Sequence, residues 1–213
     1  MTFFRKADVV AHDAHAFPGG IGEGALVRTP DGPRPVERLR PGDRVATRDG
    51  GLQPVLAIWC REVSGTLMQA DPGLAPVCIE AQAFGVALPL ERLRIAPDHK
   101  VLLPGYLLDG AQGCVSCLVE IGDLASGAGP VSPEAARRPL RFYTIVFATH
   151  QVFCANGLAV ESFHVSPCSQ RQIAPCLAEE VQRLFPDMDS APESCARVGY
   201  KLVSNARLSP GTP

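Results

Sequence analysis

Residues 36–45 read VERLRPGDRV, and this stretch combines a short helical turn, a chain reversal and the start of a strand. Its first four residues have the length of a single helical turn, which Pro41 and Gly42 end because proline disfavours helical geometry before it and glycine accepts a chain reversal. A strand then begins at Arg44, and the Asp-Gly pair at residues 49–50 is the strongest short-range signal for a β-hairpin. The stretch therefore predicts short strands joined by tight turns.

Short apolar runs of strand length continue outward from this stretch up to about residue 164. They lie at residues 25–29, 54–60, 77–81, 93–95, 100–103, 142–147, 151–155 and 158–160. The 213 residues include 20 glycines and 20 prolines, a composition that favours turns over long helices, and 46% are hydrophobic, enough for a buried core. The sequence predicts an all-β main domain.

The pattern changes beyond residue 165. Ile173, Leu177, Val181 and Leu184 recur at helical spacing and predict one C-terminal amphipathic helix. We expect the rest of residues 166–213 to be loop or partly disordered tail, and residues 1–19 to be a loose N-terminal lead-in. The predicted main domain is residues 20–165.

Charge and composition exclude several classes of partner. The net charge is −2 and the basic residues are dispersed, so neither nucleic acid nor a membrane surface is an expected partner. No apolar run has the length of a signal peptide or a membrane span, which predicts a cytoplasmic protein. The eight cysteines are too dispersed for a small disulfide scaffold, so most should be reduced thiols. No cofactor is expected.

Three further blocks give the chain a family resemblance. Residues 96–103 read APDHKVLL, residues 141–146 read RFYTIV, and residues 150–157 read HQVFCANG. Together with residues 36–45 they resemble, in order and spacing, the Hint domain of hedgehog proteins and inteins, and specifically the bacterial Hint-2 type. The resemblance implies a flat, pseudo-twofold, horseshoe-like β fold, in which the first strand meets the His99 block at the centre.

The resemblance also implies a reaction, and the chain lacks its first participant. In Hint domains a cysteine at the first residue attacks the carbonyl group before it and converts a peptide bond into a thioester. Counting four positions back from the Gly24-Ala25 pair places Gly20 at this site. Glycine has no side chain, so no thiolate can form there.

Other family positions are substituted as well. His99 is retained as the histidine that protonates the scissile amide, but Ala96 replaces the hydroxyl residue of that block. Thr144 stands where hedgehog modules and many inteins carry an aspartate, and Glu161 with Ser162 replaces the terminal histidine-asparagine pair. Removing one member of a nucleophile-and-base unit raises the barrier by roughly 5 to 8 kcal/mol. The leading hypothesis is therefore a Hint domain without self-cleavage, acting as a binding or structural module for an unknown protein or peptide partner.

Other roles for these residues stay open. His99 could be a hydrogen-bonded core histidine, could have a catalytic role outside the reaction of the family, or could retain idle inherited chemistry. An autoprocessing domain could use a displaced nucleophile such as Cys154, although a cysteine on a strand is more often a buried structural residue. His150 and His164 fit ordinary polar roles at strand ends.

Of two further short motifs, only the first supports a third class of function, a thiol-based metal or redox module. Cys114 and Cys117 form the only CxxC and are weak candidates for a metal ligand pair or a redox pair, since a tetrahedral zinc site needs two more ligands. Residues 19–24 read GGIGEG but lack the preceding strand, the lysine and the helix of a phosphate-binding loop.

Overall fold

The structure is a computed structural model that describes residues 8–11, 17–111, 113–127, 129–134, 138–164, 173–186 and 199–209. Strands dominate it, which confirms the all-β prediction. Within this part of the chain the strands are β1 (Asp8–Ala11), β2 (Ile21–Gly22), β3 (Leu26–Thr29), β4 (Gly32–Pro35), β5 (Arg44–Thr47), β6 (Gly51–Pro54), β7 (Ala57–Val63), β8 (Val77–Ile79), β9 (Leu93–Ile95), β10 (Lys100–Pro104), β11 (Ser116–Glu120), β12 (Val131–Pro133), β13 (Leu140–Val146), β14 (Val152–Ala155), β15 (Leu158–Glu161) and β16 (Lys201–Val203). The α-helices are α1 (Gly65–Ala70), α2 (Ile121–Leu124) and α3 (Pro175–Leu184), and the 3₁₀ helices are Val36–Arg38, Pro72–Leu74 and Gly105–Leu107.

The strands form two sheets. The first has seven strands in the order β1-β7-β13-β2-β9-β8-β12. The second has nine strands, of which seven follow the order β16-β11-β10-β15-β14-β3-β4, while β5 pairs with β14 and β6 pairs with β5. The two-residue strand β2 lies between β13 and β9, so the residues just before it are close to both the 96–99 turn and the 141–146 block.

The core follows the period-two alternation of the strands. On β14, Phe153 and Ala155 face the large core cluster, while Cys154 between them points to the other side and stays half-buried. The longest strands, β7 and β13, are buried along most of their length and pair with each other over seven residues. This central pair supports the segment that carries Gly20.

The turns predicted from the sequence are present in the structure. The stretch that begins at Val36 forms a 3₁₀ helix, and a β5–β6 hairpin that turns around residues 48–50 follows it in the chain. The Asn156-Gly157 pair closes the β14–β15 hairpin. These turns depend on residues that are neighbours in sequence, which is why sequence patterns identify them.

Both ends of the chain differ from expectation. In the lead-in, β1 pairs in parallel with β7, and Phe17 is buried at 1% exposure. In the tail, β16 pairs in parallel with β11, and Ala206 is buried. These segments gave weak signals because their partners lie far away in the sequence. The short helices α1 and α2 were also not predicted.

The predicted C-terminal helix is confirmed as α3. Its Leu177 and Val181 pack into a cluster with Phe17, Trp59 and Phe163. The Phe17 ring lies 5.9 Å from the Trp59 ring, and the Phe163 ring lies 4.7 Å from Trp59 on an edge-on approach. This aromatic cluster ties α3 to the segment that leads into Gly19 and Gly20.

Five cysteines of the described chain carry free thiols, namely Cys60, Cys78, Cys114, Cys117 and Cys154. Cys168 and Cys195 lie outside the described residues, as do residues 1–7, 12–16 and most of the tail beyond residue 186, and the side chain of Cys176 is not described. Of the helices that the structure describes, none has the length and apolar character needed to cross a membrane.

We predict that Leu177→Ala destabilises the protein by about 3 kcal/mol, because it leaves a cavity beside Phe17 and Trp59. Glu179→Ala on the exposed side of the same helix is the matched control and should change stability by less than about 0.5 kcal/mol. Urea unfolding measures both free energies. Equal effects of the two substitutions would mean that α3 does not pack on the aromatic cluster.

Candidate functional site

A tight turn brings His99 into the interior. The His99 N–H donates to the Ala96 carbonyl oxygen at 3.0 Å, which closes a four-residue turn with Pro97 at its second position. The Ile121 N–H donates to the His99 carbonyl and the Gly122 N–H donates to the Pro97 carbonyl, so the start of α2 holds the turn from behind. The histidine position is therefore set by backbone hydrogen bonds on both sides.

Gly20 is hydrogen-bonded through both of its backbone polar groups. Its N–H donates to Nδ1 of His99 at 2.9 Å, and its carbonyl accepts from the Ala96 N–H at 2.9 Å. The amide nitrogen of the 19–20 peptide bond thus lies against the one histidine that the family resemblance singled out. The arrangement confirms the expectation that the first strand meets the His99 block.

Gly19 is held in the same way by two charged residues. Its N–H donates to Oδ2 of Asp98 at 2.8 Å, and its carbonyl accepts from Nη2 of Arg61 at 3.0 Å. Arg61 is 5% exposed, and its guanidinium lies between the rings of Phe17 and Phe142, 5.8 and 5.3 Å from their centres. The flanking rings and the Asp98 carboxylate, 3.6 Å away, compensate its buried charge.

We call this set of residues the diglycine clamp. It comprises Gly19, Gly20, Arg61, Ala96, Asp98 and His99. All four backbone donors and acceptors of the two glycines are satisfied within it. Since a buried unpaired backbone group costs on the order of 1 to 3 kcal/mol, this complete pairing fixes the segment strongly.

The clamp leaves no room for side chains on the glycines. A Cβ on Gly20 would lie 2.9 Å from Cβ of Phe142, and a Cβ on Gly19 would lie 2.7 Å from Nδ1 of His99. Both glycines also have positive φ values, +73° and +120°, which other residues rarely adopt. Glycine at position 20 is therefore required by the geometry, and a cysteine could not simply be restored there.

His99 is a neutral hydrogen-bond acceptor in the clamp. Burial lowers its pKa to about 4, although the negative charges of Glu161 and Asp98 act in the opposite direction. Because Nδ1 accepts from Gly20, the neutral ring carries its proton on Nε2, and Nε2 has no hydrogen-bond partner among the described residues. At neutral pH this ring is in the wrong state to protonate the Gly20 nitrogen.

The two other substituted positions of the centre lie beside the clamp. Thr144 is buried, and its hydroxyl would be 3.4 Å from a Cβ on Gly20; no residue of the described chain hydrogen-bonds to it. The side chain of Ala96 packs with Met68 and Phe142 in a small apolar cluster. Neither side chain supplies a base or a polarising hydroxyl to the 19–20 peptide bond.

A second polar cluster surrounds Glu161. Its carboxylate lies 2.9 Å from Nε2 of His150 and 3.6 Å from Nζ of Lys100, and the His150 ring contacts the His164 ring edge-on at 4.9 Å. The Glu161 and His150 side chains are 8% and 2% exposed. Asn156 does not join this cluster, because its side chain accepts from the Leu26 N–H and donates to the Arg92 carbonyl. Its role in the turn is structural.

Cys154 lies outside both the diglycine clamp and the Glu161 cluster. It lines an open cavity of about 400 Å³ whose other lining residues are Leu26, Arg28, Pro33, Ala87, Leu90, Glu91, Asn156 and Gly157. No member of the diglycine clamp belongs to this lining. Burial raises the pKa of the Cys154 thiol, which reduces its thiolate fraction at neutral pH.

Neither the CxxC pair nor the glycine-rich stretch forms a ligand-binding arrangement with other described residues. Burial and the neighbouring Cys114 thiol raise the pKa of Cys117, and the described residues contain no group of three or more His, Cys, Asp or Glu side chains placed to hold a metal ion. In the stretch at residues 19–24, the Gly24 N–H donates to Glu37 at 2.9 Å. The N–H groups of Gly19, Gly20 and Gly24 therefore all donate to side chains of the protein itself.

Arg61 and Asp98 are site residues that the sequence analysis missed. Arg61 follows four apolar residues in strand β7 and is buried, whereas the next residue, Glu62, is only partly buried; a charge in a buried strand is a usable signal. Asp98 precedes His99 in the quoted block but was not assigned a role. Their partner Gly19 is 42 and 79 residues away in the sequence, so its identity could not be inferred from local pattern.

We predict that Gly20→Ala destabilises the protein by about 3 kcal/mol, through positive φ and through the contact with Phe142. Gly24→Ala is the matched control, since Gly24 has φ +83° with open space around it. This variant should lose only about 1 kcal/mol of unfolding free energy, from the positive φ alone. Gly20→Cys should be destabilised like Gly20→Ala and should not yield hydroxylamine-sensitive cleavage, measured by intact mass. Cleavage before residue 20 in Gly20→Cys would show that the clamp relaxes to admit a nucleophile.

We also predict a pH dependence of stability that comes from His99. Its pKa is about 4 when folded and near 6.5 when unfolded, so the unfolded chain binds an extra proton between these values and stability falls as the pH drops through this window. The loss from His99 should be about 3 kcal/mol between pH 7.5 and pH 4. His99→Asn keeps an acceptor for the Gly20 N–H but does not titrate, so its denaturation curves should show a pH dependence smaller by that amount. Identical pH dependence in both proteins would contradict a buried neutral His99.

Known proteins resemble this chain in sequence and in fold. The sequence model of the Hint domain family matches residues 21–167. A bacterial intein-like domain from Clostridium thermocellum is 17% identical with a TM-score of 0.42, over 68% of this chain and 99% of that one. The gp41-1 intein is 17% identical with a TM-score of 0.40, over 67% of this chain and 97% of that one. No curated protein matches the chain. From the family match over most of its length, the chain belongs to the Hint domain family.

Proposed function

We propose that this Hint domain does not cleave or splice itself and that its centre serves as a structural clamp and peptide-binding module. The observation that carries the proposal is the fit around Gly20. Residue 20 has no nucleophile, and a Cβ there would lie 2.9 Å from Cβ of Phe142. The absence of the attacking group is thus built into the packing of the neighbouring strand.

The remaining chemistry of the centre supports the same conclusion. Hydrolysis or acyl shift at the 19–20 bond needs a proton on the departing amide nitrogen, yet His99 accepts the proton of that amide and has a pKa of about 4. Arg61 could stabilise an oxyanion on Gly19, but polarisation without a nucleophile leaves a barrier many orders of magnitude too high for efficient cleavage. At the C-terminal end of the predicted main domain, Glu161 and Ser162 provide no asparagine that could cyclise.

The position of the N-terminal segment adds a structural argument. In a self-cleaving domain the residues before the scissile bond leave as product. Here Phe17 is buried against Trp59 and α3, and β1 extends the first sheet. Cutting the chain at Gly20 would remove a core side chain worth about 3 kcal/mol of packing. The segment therefore functions as part of the domain.

Autoprocessing through Cys154 is the alternative function, and the observations support it less. The thiol is in the open cavity, apart from the clamp, and its pKa is raised by burial. A metal or redox role for Cys114 and Cys117 is the third hypothesis and is supported only by their proximity. Five free thiols favour a reducing compartment, so we propose a cytoplasmic location with a protein or peptide partner.

We predict that the purified protein keeps one intact mass during several days at pH 7.5 and 25 °C, with or without a thiol reagent. The physical reason is the missing nucleophile at residue 20. Intact-mass spectrometry makes the measurement, and the same sample sprayed under native conditions reports any metal held by Cys114 and Cys117.

Cys154→Ser serves as the control. A break between residues 19 and 20 in the wild type would refute the proposal, and its loss in Cys154→Ser would assign the reaction to that thiol. Persistence of the break in Cys154→Ser would instead direct attention to Thr144, whose hydroxyl would lie 3.4 Å from a Cβ on Gly20.

A further inference from the structure

We propose that the four residues of the diglycine clamp that contact the glycines form one half of a peptide-recognition cleft, and that residues 17–20 are its resident ligand. These four residues are Arg61, Ala96, Asp98 and His99, and the ligand motif is aromatic-Pro-Gly-Gly. The inference rests on the proposed function, since a cleft that cut its occupant would not retain it. It adds the chemical class of partner: an extended, uncharged peptide segment of this motif, supplied by another chain when the resident segment is displaced.

The first support is that the cleft binds the two glycines through their backbone groups alone. Gly19 and Gly20 are contacted through their N–H and C=O groups only, by Asp98, Arg61, His99 and Ala96. These contacts come from β7 and from the 96–99 turn, so they form a preorganised surface that does not depend on the chain connection between residues 20 and 21. A separate peptide could present the same four groups.

The second support is selectivity for glycine. A side chain on the first glycine would meet the His99 ring at 2.7 Å, and a side chain on the second would meet Phe142 at 2.9 Å. Both obstacles lie on well-packed elements, since His99 is held by the turn backbone and Phe142 lies on the central strand β13. The cleft therefore rejects other residues sterically at two consecutive positions.

The third support is a built pocket for the aromatic residue. Phe17 is 1% exposed, packs 5.9 Å from Trp59, and lies under the Arg61 guanidinium at 5.8 Å. Leu177 and Val181 of α3 complete the same cluster. A buried aromatic anchor next to a dense set of backbone hydrogen bonds is how peptide-binding sites concentrate their affinity.

The resident segment competes with any added peptide. Being attached to the cleft, it acts at an effective concentration in the millimolar range or above, so the wild type should bind a free peptide weakly. A substitution that expels the resident segment but leaves the cleft walls unchanged should expose the site. Gly19→Ala does this, because the added methyl group collides with His99 while every wall residue is retained.

The experiment is a fluorescence anisotropy titration of labelled Phe-Pro-Gly-Gly amide with full-length wild type and with full-length Gly19→Ala. We expect at least tenfold tighter binding to Gly19→Ala than to the wild type. Labelled Phe-Pro-Ala-Gly and Ala-Pro-Gly-Gly amides should each bind Gly19→Ala at least tenfold more weakly than the parent peptide. Equal binding of all three peptides, or none at millimolar protein, would overturn the inference.

Phe17→Ala is the second variant, because it weakens the resident segment at its anchor and keeps both glycines. Circular dichroism establishes that each variant is folded before titration. If both variants unfold, the segment is inseparable from the domain and the inference is overturned. Intact mass tests the proposed function independently of peptide binding. An uncut protein that binds no peptide would refute only this inference. A break between residues 19 and 20 would refute the proposed function.

Discussion

The hydrogen bond from the Gly20 amide to Nδ1 of His99 is the interaction on which the centre of this protein depends. It determines the tautomer of the buried histidine, and it orients the 19–20 peptide bond. The close approach of His99 excludes a Cβ from Gly19, while Phe142 on β13 excludes one from Gly20. The contact with His99 thus accounts for the neutral histidine and for glycine at position 19, and the neighbouring strand β13 accounts for glycine at position 20.

The rest of the fold supports that contact from several directions. The β7–β13 pair carries Arg61 on one strand and Phe142 and Thr144 on the other, while the turn that ends in His99 is braced by the backbone of α2. The aromatic cluster with α3 anchors Phe17, three residues before Gly20. In a self-cleaving domain the corresponding supports would hold a bond to be broken. Here the same supports hold a bond that is part of the core, and this is compatible with our proposal that a member of this family does not cleave itself.

Much of this could be predicted from the sequence. The turn at residues 41–42 and the hairpins depend on neighbouring residues, and the order of the family blocks was enough to bring Gly20, His99 and Thr144 together. The roles of Arg61 and of β1 could not be predicted, because each depends on a partner that only the folded chain brings close. The exclusion of a side chain at residue 20 also could not be predicted from the sequence, since it depends on a few tenths of an ångström in the position of β13.

In the folded, uncut chain the Gly20 amide donates to an unprotonated Nδ1 of His99. The most direct test is a nuclear magnetic resonance experiment on uniformly ¹⁵N-labelled full-length protein that detects scalar coupling across hydrogen bonds. We expect a cross-peak between the Gly20 amide nitrogen and Nδ1 of His99 at pH 7, with the ring proton on Nε2. A ring protonated on Nδ1, or a folded protein in which the Gly20 amide shows no such coupling, would contradict it.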